Sequence, residues 1–238
     1  RAARAIQQRL FPTAAPRLPG IEIAGASYPA EATGGDYYDY IPMADGSVGV
    51  VVGDVTGHGF GPALVMASTR AYLRALAQTN TDVSAILALA NRVLAADVAD
   101  DRFVTLLLAR LAVDGRRLVY SNAGHQAGYV FDALGLVKRQ LGSTSVPLGV
   151  LADAEFPAGE AVRLAPGDLV VLLTDGIVEA RAPDNTVFGV QRVSDLVRLY
   201  RKDSARQIVT NLYHAVRAFS QNMPQVDDIT AVVIKVTG

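Results

Sequence analysis

Strand signals in this chain follow one another across short turns, while helical signals come as two pairs, and that order restricts the fold more than any single residue does. β-Branched and aromatic residues gather between turn residues at 21–28, 36–41 and 48–53. Asp45-Gly46 predicts a hairpin turn between the last two, and Asp114-Gly115 predicts another between strands at 103–113 and 117–121. Further strands are expected at 129–131, 136–141, 169–174 and 229–236. One helical pair spans 62–78, with Pro62 in a permitted first turn, and 83–96, with Thr81 or Asp82 as its cap. The second pair spans 190–200 and 205–219. Helices that do not alternate with strands argue against parallel βαβ units. The pattern predicts an α+β fold in which antiparallel sheets are covered by helices.

With 238 residues, 50% of them hydrophobic, residues 20–238 can bury the core of one large domain. Residues 1–11 read as a helix with Ala3, Ile6 and Leu10 at a/d spacing, and Pro12, Pro16 and Pro19 end it. Residues 1–19 are therefore expected to be a linker helix and a Pro-rich connection. Because that helix begins without a cap, a longer parent protein with an upstream domain is expected. Its a/d stripe is expected to allow pairing in a homodimer.

The charge balance, 22 basic against 23 acidic residues, gives no basic excess for nucleic acid. Cysteine is absent, which excludes disulfides and thiolate metal sites and fits a reducing compartment. The longest apolar runs, such as 169–173, are too short to cross a bilayer. A cytoplasmic domain is the expectation.

Chemistry concentrates on three aspartates at the ends of apolar runs: Asp54 in Gly53-Asp54-Val55-Thr56-Gly57-His58-Gly59, Asp175 in Thr174-Asp175-Gly176, and Asp227 in Asp227-Asp228-Ile229-Thr230. Loops gather at strand ends, and sites are built there. Carboxylates about 4 Å apart repel by roughly 4 kcal/mol per pair at an effective dielectric near 20. Convergence of the three in one pocket therefore needs a cation or protonation. Oxygen ligands suit Mg²⁺ or Mn²⁺ better than zinc. Gly34-Gly35-Asp36-Tyr37-Tyr38-Asp39 adds Asp36, and less directly Asp39, as acidic groups that could serve the same centre.

The glycines after Asp54 are spaced G-x-G-x-G without a surrounding βαβ unit, which departs from the dinucleotide-binding fingerprint. No nucleophile elbow or Ser-His-Asp order is present. His58 and His125 are the loop histidines to weigh, while His214 falls inside the last predicted helix.

Taken in order, Gly34-Gly35-Asp36-Tyr37-Tyr38-Asp39, Gly53-Asp54-Val55-Thr56-Gly57-His58-Gly59, Asn122-Ala123-Gly124-His125, Thr174-Asp175-Gly176-Ile177-Val178-Glu179-Ala180, Phe188-Gly189 and Asp227-Asp228-Ile229-Thr230 resemble the RsbU/SpoIIE-type phosphatases of the wider metal-dependent (PPM, type 2C) family. Ile6-Gln7-Gln8-Arg9-Leu10-Phe11-Pro12 also resembles the linker helix that precedes this domain. The resemblance implies a four-layer αββα sandwich with a centre of two, or three, Mn²⁺ or Mg²⁺ ions. In that centre Asp54 would bridge the metals with the Val55 carbonyl, and Asp175 and Asp227 would each hold one. Asp228 is an alternative ligand to Asp227, and Asp36 would hold metal-bound waters. Gly57, His58 and His125 are the residues expected to face substrate. Thr56 stands where the eukaryotic branch has a histidine, and the phosphate-binding arginine of that branch has no clear counterpart. The implied activity is hydrolysis of a phosphoserine or phosphothreonine protein by a metal-activated water. The implied substrate is a STAS-domain anti-anti-sigma factor in bacterial partner switching. A silent binding module and a small-phosphoester phosphatase are the alternatives.

Overall fold

The computed structural model describes residues 2–57, 59–98 and 102–238. Its strands are β1 (Ile21–Tyr28), β2 (Tyr37–Pro42), β3 (Val48–Val55), β4 (Val104–Leu111), β5 (Arg117–Ala123), β6 (Gly128–Phe131), β7 (Val137–Leu141), β8 (Val162–Arg163), β9 (Leu169–Leu173) and β10 (Ile229–Val236). The helices are α1 (Ala2–Gln8), α2 (Phe60–Leu76), α3 (Val83–Asp97), α4 (Asp175–Val178), α5 (Gly189–Tyr200) and α6 (Ala205–Phe219). The strands form two five-stranded sheets, ordered β1-β10-β9-β6-β7 and β2-β3-β4-β5-β8, whose strand pairs are all antiparallel.

Alternation along the strands explains the layering, because successive side chains leave opposite faces of a sheet. In β3, Val48, Val50 and Val52 enter the layer between the sheets, while Val51 and Val55 pack with Met66, Leu73, Ile86 and Leu94 of α2 and α3. In β9, Val170 and Leu172 face the other sheet, and Leu169, Val171 and Leu173 meet Val193, Val197, Ile208 and Leu212 of α5 and α6. Both faces of each sheet are therefore covered, giving the expected αββα sandwich. Asp82 caps α3 by accepting from the Ser84 N–H, and Ser204 caps α6 by accepting from that of Gln207. The predicted hairpin turns form, with Gly46 at φ 82° and Gly115 at φ 66°.

The opening helix is shorter than the 1–11 expected. It ends at Gln8, and i→i+3 bonds from Arg9 to Ile6 and from Leu10 to Gln7 turn the chain inward. Leu10 and Phe11 pack on the core while Ile6 stays exposed, so the a/d stripe is split between domain and solvent.

Asp39 corrects another expectation. Its carboxylate is fully buried and turned away from the other aspartates toward α2. There it accepts two hydrogen bonds from Arg74, each 2.6 Å, and one of 2.7 Å from the Tyr37 hydroxyl. It is a structural anchor between β2 and α2. Arg74→Ala strands that charge in the interior, with Arg70 at 3.7 Å as partial compensation. The expected loss is about 3 kcal/mol in urea unfolding, at the low end for a broken buried pair because Arg74 is partly exposed.

Candidate metal centre

Strand pairing brings the candidate acids to one end of the sandwich. Tyr37 pairs with Gly53, which sets Asp36 beside Asp54. Leu173 pairs with Ala231, which sets Asp175 beside the Asp227-Asp228 turn. A hydrogen bond then joins the sheets, as the Thr174 hydroxyl donates to Asp36 Oδ2 at 2.8 Å. The same Thr174 oxygen accepts the Thr230 N–H at 3.2 Å, so one threonine ties β9, β10 and the loop before β2.

The electrostatics report the crowding. Burial, followed by repulsion from Asp175, Asp227 and Asp228, pushes the Asp54 carboxyl up to about 8. Asp36, almost wholly buried, is driven well above the carboxylate range by burial and then by Asp54 and Asp228. Asp175 is raised by burial and then by Asp227 and Glu179. These groups share one field that favours a cation or retained protons.

The two neighbouring acids at the start of β10 differ in placement. Asp228 is buried, its Oδ1 accepting the Ala30 N–H at 2.8 Å and its Oδ2 the Asp36 N–H at 3.3 Å, which clamps the 30–36 loop. Asp227 is exposed at the rim, with its Oδ1 accepting the Asp228 N–H at 2.8 Å. Gly34 and Gly35 lie tight against this cluster. A Cβ on Gly35 would come within 2.6 Å of the Val55 carbonyl oxygen and 3.0 Å of Asp54 Oδ1, and one on Gly34 would collide with the Asp228 carboxylate. Glycine thus keeps open the space in front of Asp54 and Val55.

The oxygen-only donor set fits a hard divalent cation. Among the described residues no three His, Asp or Glu side chains are drawn together tightly enough to hold an ion as they stand.

Gly57, at φ 89°, lies exposed on the turn after Thr56, and Gly59, at φ 86°, opens α2. His58 lies outside the described residues. His125 does not face substrate as expected. It is buried between the sheets, Nδ1 lying 2.8 Å from the Thr105 hydroxyl and Nε2 lying 3.1 Å from the Leu173 carbonyl, so both ring nitrogens are engaged inside the protein.

Residue-type reasoning missed Thr174 and Thr230, whose only signal was their place beside the acids, and it missed Gln7. That side chain is buried, donating to the Gly34 carbonyl at 2.7 Å and accepting the Gly34 N–H at 3.1 Å. It ties α1 to the loop that ends at Asp36.

A groove of about 220 Å³ opens beside Asp227, lined by Gly176, Arg181, Arg217, Met223 and Val226 among others. A larger cleft of about 670 Å³ runs along β1 and includes none of the candidate acids.

A family model described as Stage II sporulation protein E (SpoIIE) matches residues 44–237. The chain is 28% identical over 230 residues to the phosphoserine phosphatase RsbU of Bacillus subtilis, covering 97% of this chain and 68% of that protein. Among solved structures, the type 2C phosphatase domain of SiaA from Pseudomonas aeruginosa superposes with a TM-score of 0.83 at 23% identity, over 98% of this chain and 93% of that one. The structure of the RsbU and RsbW domains of a Mycobacterium tuberculosis protein gives a TM-score of 0.78 at 26% identity, over 93% of this chain and 61% of that one.

Proposed function

The chain belongs to the SpoIIE family, and from that membership together with its carboxylate cluster we propose that it is a divalent-metal-dependent phosphoserine/phosphothreonine protein phosphatase. The observation that carries this reading is the crowding at Asp54, whose carboxyl is pushed up to about 8 by burial and by the nearby carboxylates of Asp175, Asp227 and Asp228. Asp54, the Val55 carbonyl, Asp175 and Asp227 would hold two or three Mn²⁺ or Mg²⁺ ions. Such ions lower the pKa of water and neutralise phosphoryl oxygens.

The chain's own residues supply the rest. Asp36 is held by Thr174 behind Asp54, where it can orient waters around the ions. Asp228 fixes the 30–36 loop from behind and acts as a positioning group. Asp227, at the exposed rim, is where a phosphoprotein could reach the centre. Gly57 and His58 lie on the segment after Asp54 and remain the residues proposed to meet the substrate. With no cysteine in the chain, a thiol phosphoenzyme is excluded.

The substrate proposed is a serine-phosphorylated STAS-domain anti-anti-sigma factor. Similarity to RsbU and to a protein that carries RsbU and RsbW domains together supports a partner-switching setting. Residues 1–19 are proposed as a linker to an upstream sensor and as a dimer contact. Among the described residues no helix is long and apolar enough to cross a membrane, and a cytoplasmic setting is part of the proposal. Release of inorganic phosphate from a phosphoserine STAS protein in Mn²⁺, and none in excess chelator, is the expected result. A folded protein that binds the phosphoprotein without releasing phosphate would indicate a silent binding module.

Gln7→Ala removes both bonds to Gly34 and is expected to cost about 1–2 kcal/mol of stability. It should also lower the Mn²⁺-dependent rate roughly tenfold, as the loop carrying Asp36 loosens. Parallel thermal unfolding and p-nitrophenyl phosphate assays read the two effects separately.

A further inference from the structure

The layer between the sheets is apolar where Val50, Val52 and Leu107 meet Val170, Leu172 and Val232. At its carboxylate end a polar ring crosses the gap. The Leu173 carbonyl can only accept, so His125 Nε2 carries the proton in the bond between them. Burial holds the imidazole pKa down to about 4, which keeps the ring neutral and leaves Nδ1 as an acceptor. The Thr105 hydroxyl therefore donates to Nδ1. Thr105 is the cross-strand partner of Asp54, and its oxygen lies 3.4 Å from the Asp54 carbonyl oxygen. Leu173 stands two residues before Asp175. The backbone of His125 is fixed in turn by Asn122, whose Oδ1 accepts its N–H at 2.8 Å and whose Nδ2 donates to its carbonyl at 3.2 Å.

The pairing pattern explains why a side chain is needed there. The Thr174 N–H bonds to Thr230 of β10, so the backbone groups of Leu173 point to the opposite edge. On that edge β6 starts only at Gly128, leaving the carbonyl beyond the reach of its ladder with β9, which runs from Tyr129 to Phe131.

We infer that His125 is a positioning residue for the metal centre: its ring fixes the separation between the strand ends that carry Asp54 and Asp175. The inference rests on the metal-centre reading. An apolar ring of similar size would fill the space but leave the Leu173 carbonyl without its donor and the Thr105 hydroxyl with only the Asp54 carbonyl oxygen, 3.4 Å away, as an acceptor. A glutamine could restore one donor and one acceptor.

The test is calorimetric titration of Mn²⁺ into the wild-type domain, His125→Phe, His125→Gln, Thr105→Val and the Thr105→Val/His125→Phe double variant, with the folded state of each checked by thermal unfolding. Loss of a supporting hydrogen bond to a metal site weakens affinity about 10–100-fold. His125→Phe is expected to fall in that range, with His125→Gln recovering most of the loss. Thr105→Val should also bind more weakly, and the double variant no more weakly than His125→Phe, because both substitutions break one bridge. Thr105→Val changes shape least and carries the test if His125→Phe does not fold. Wild-type Mn²⁺ affinity in either folded single variant overturns the positioning role and leaves the metal centre standing. A wild-type domain that binds no Mn²⁺ overturns the metal-centre reading and this inference with it.

Discussion

Asp54→Asn is expected to reduce Mn²⁺-dependent hydrolysis by on the order of 1,000-fold, the scale seen when a group that stabilises charge at a reacting centre is removed. The same substitution should make the metal-free domain more stable. The Asp54 carboxyl has a folded pKa of about 8, raised by burial and by three neighbouring carboxylates. The unfolded value is near 4. Between those values the native state binds a proton that the unfolded state releases, so stability falls as pH rises through that window. A shift of four units would bound the effect at about 5–6 kcal/mol. Relaxation and water entry should reduce it to about 2–4 kcal/mol. Metal-free wild type is thus expected to be more stable near pH 5 than near pH 8.5, with Asp54→Asn flattening the profile. Saturating Mn²⁺ should also flatten the wild-type profile, because the cation replaces the retained protons. Urea unfolding at the two pH values, with and without metal, reads all three outcomes. Identical metal-free profiles for wild type and Asp54→Asn would contradict the crowding at Asp54.

Gly176→Ala carries the second large effect and reaches the centre by sterics. Gly176 is buried at the start of α4, and a Cβ there would land on the carbonyl oxygen of Asp228, with the Asp227 carbonyl carbon 3.6 Å away. Backbone cannot swing aside as a side-chain tip can, so the Asp227-Asp228 turn must move. Overpacking of this kind costs about 1–3 kcal/mol. Displacing a positioned group by about 1 Å can cost roughly 100-fold in rate. Gly176→Ala should therefore lose about 2–3 kcal/mol and about 100-fold in Mn²⁺-dependent turnover. Gly142→Ala is the control, since nothing lies within 4 Å of its added Cβ. It should change stability by less than about 0.5 kcal/mol.

The layered fold was legible because strand alternation and helix pairing are local patterns. Val48, Val50 and Val52 against Val51 and Val55 already sort one strand into two layers. Features made only by tertiary contact were not legible. β8 is a two-residue strand that exists through its pairing with β5, and α4 is a four-residue turn. The site divided along the same line. Asp36, Asp54, Asp175 and Asp227 stand out because charges at strand ends are conspicuous. Asp39, the weaker candidate in the same motif, was misread because the arginines that engage it lie 31 and 35 residues away on α2. His125 misled for the converse reason. A histidine following a strand reads as a loop residue, and only the approach of the second sheet buries both its nitrogens. Gln7 carried no chemical signal, since its two bonds to Gly34 depend on where α1 docks.

The most direct test of the central claim is hydrolysis of p-nitrophenyl phosphate with and without Mn²⁺, comparing the wild-type domain with Asp175→Asn. Turnover that needs Mn²⁺ and falls by at least about 100-fold in a folded Asp175→Asn domain is the predicted result. Turnover that persists in excess chelator, or that Asp175→Asn leaves unchanged, would contradict a metal centre built on these carboxylates.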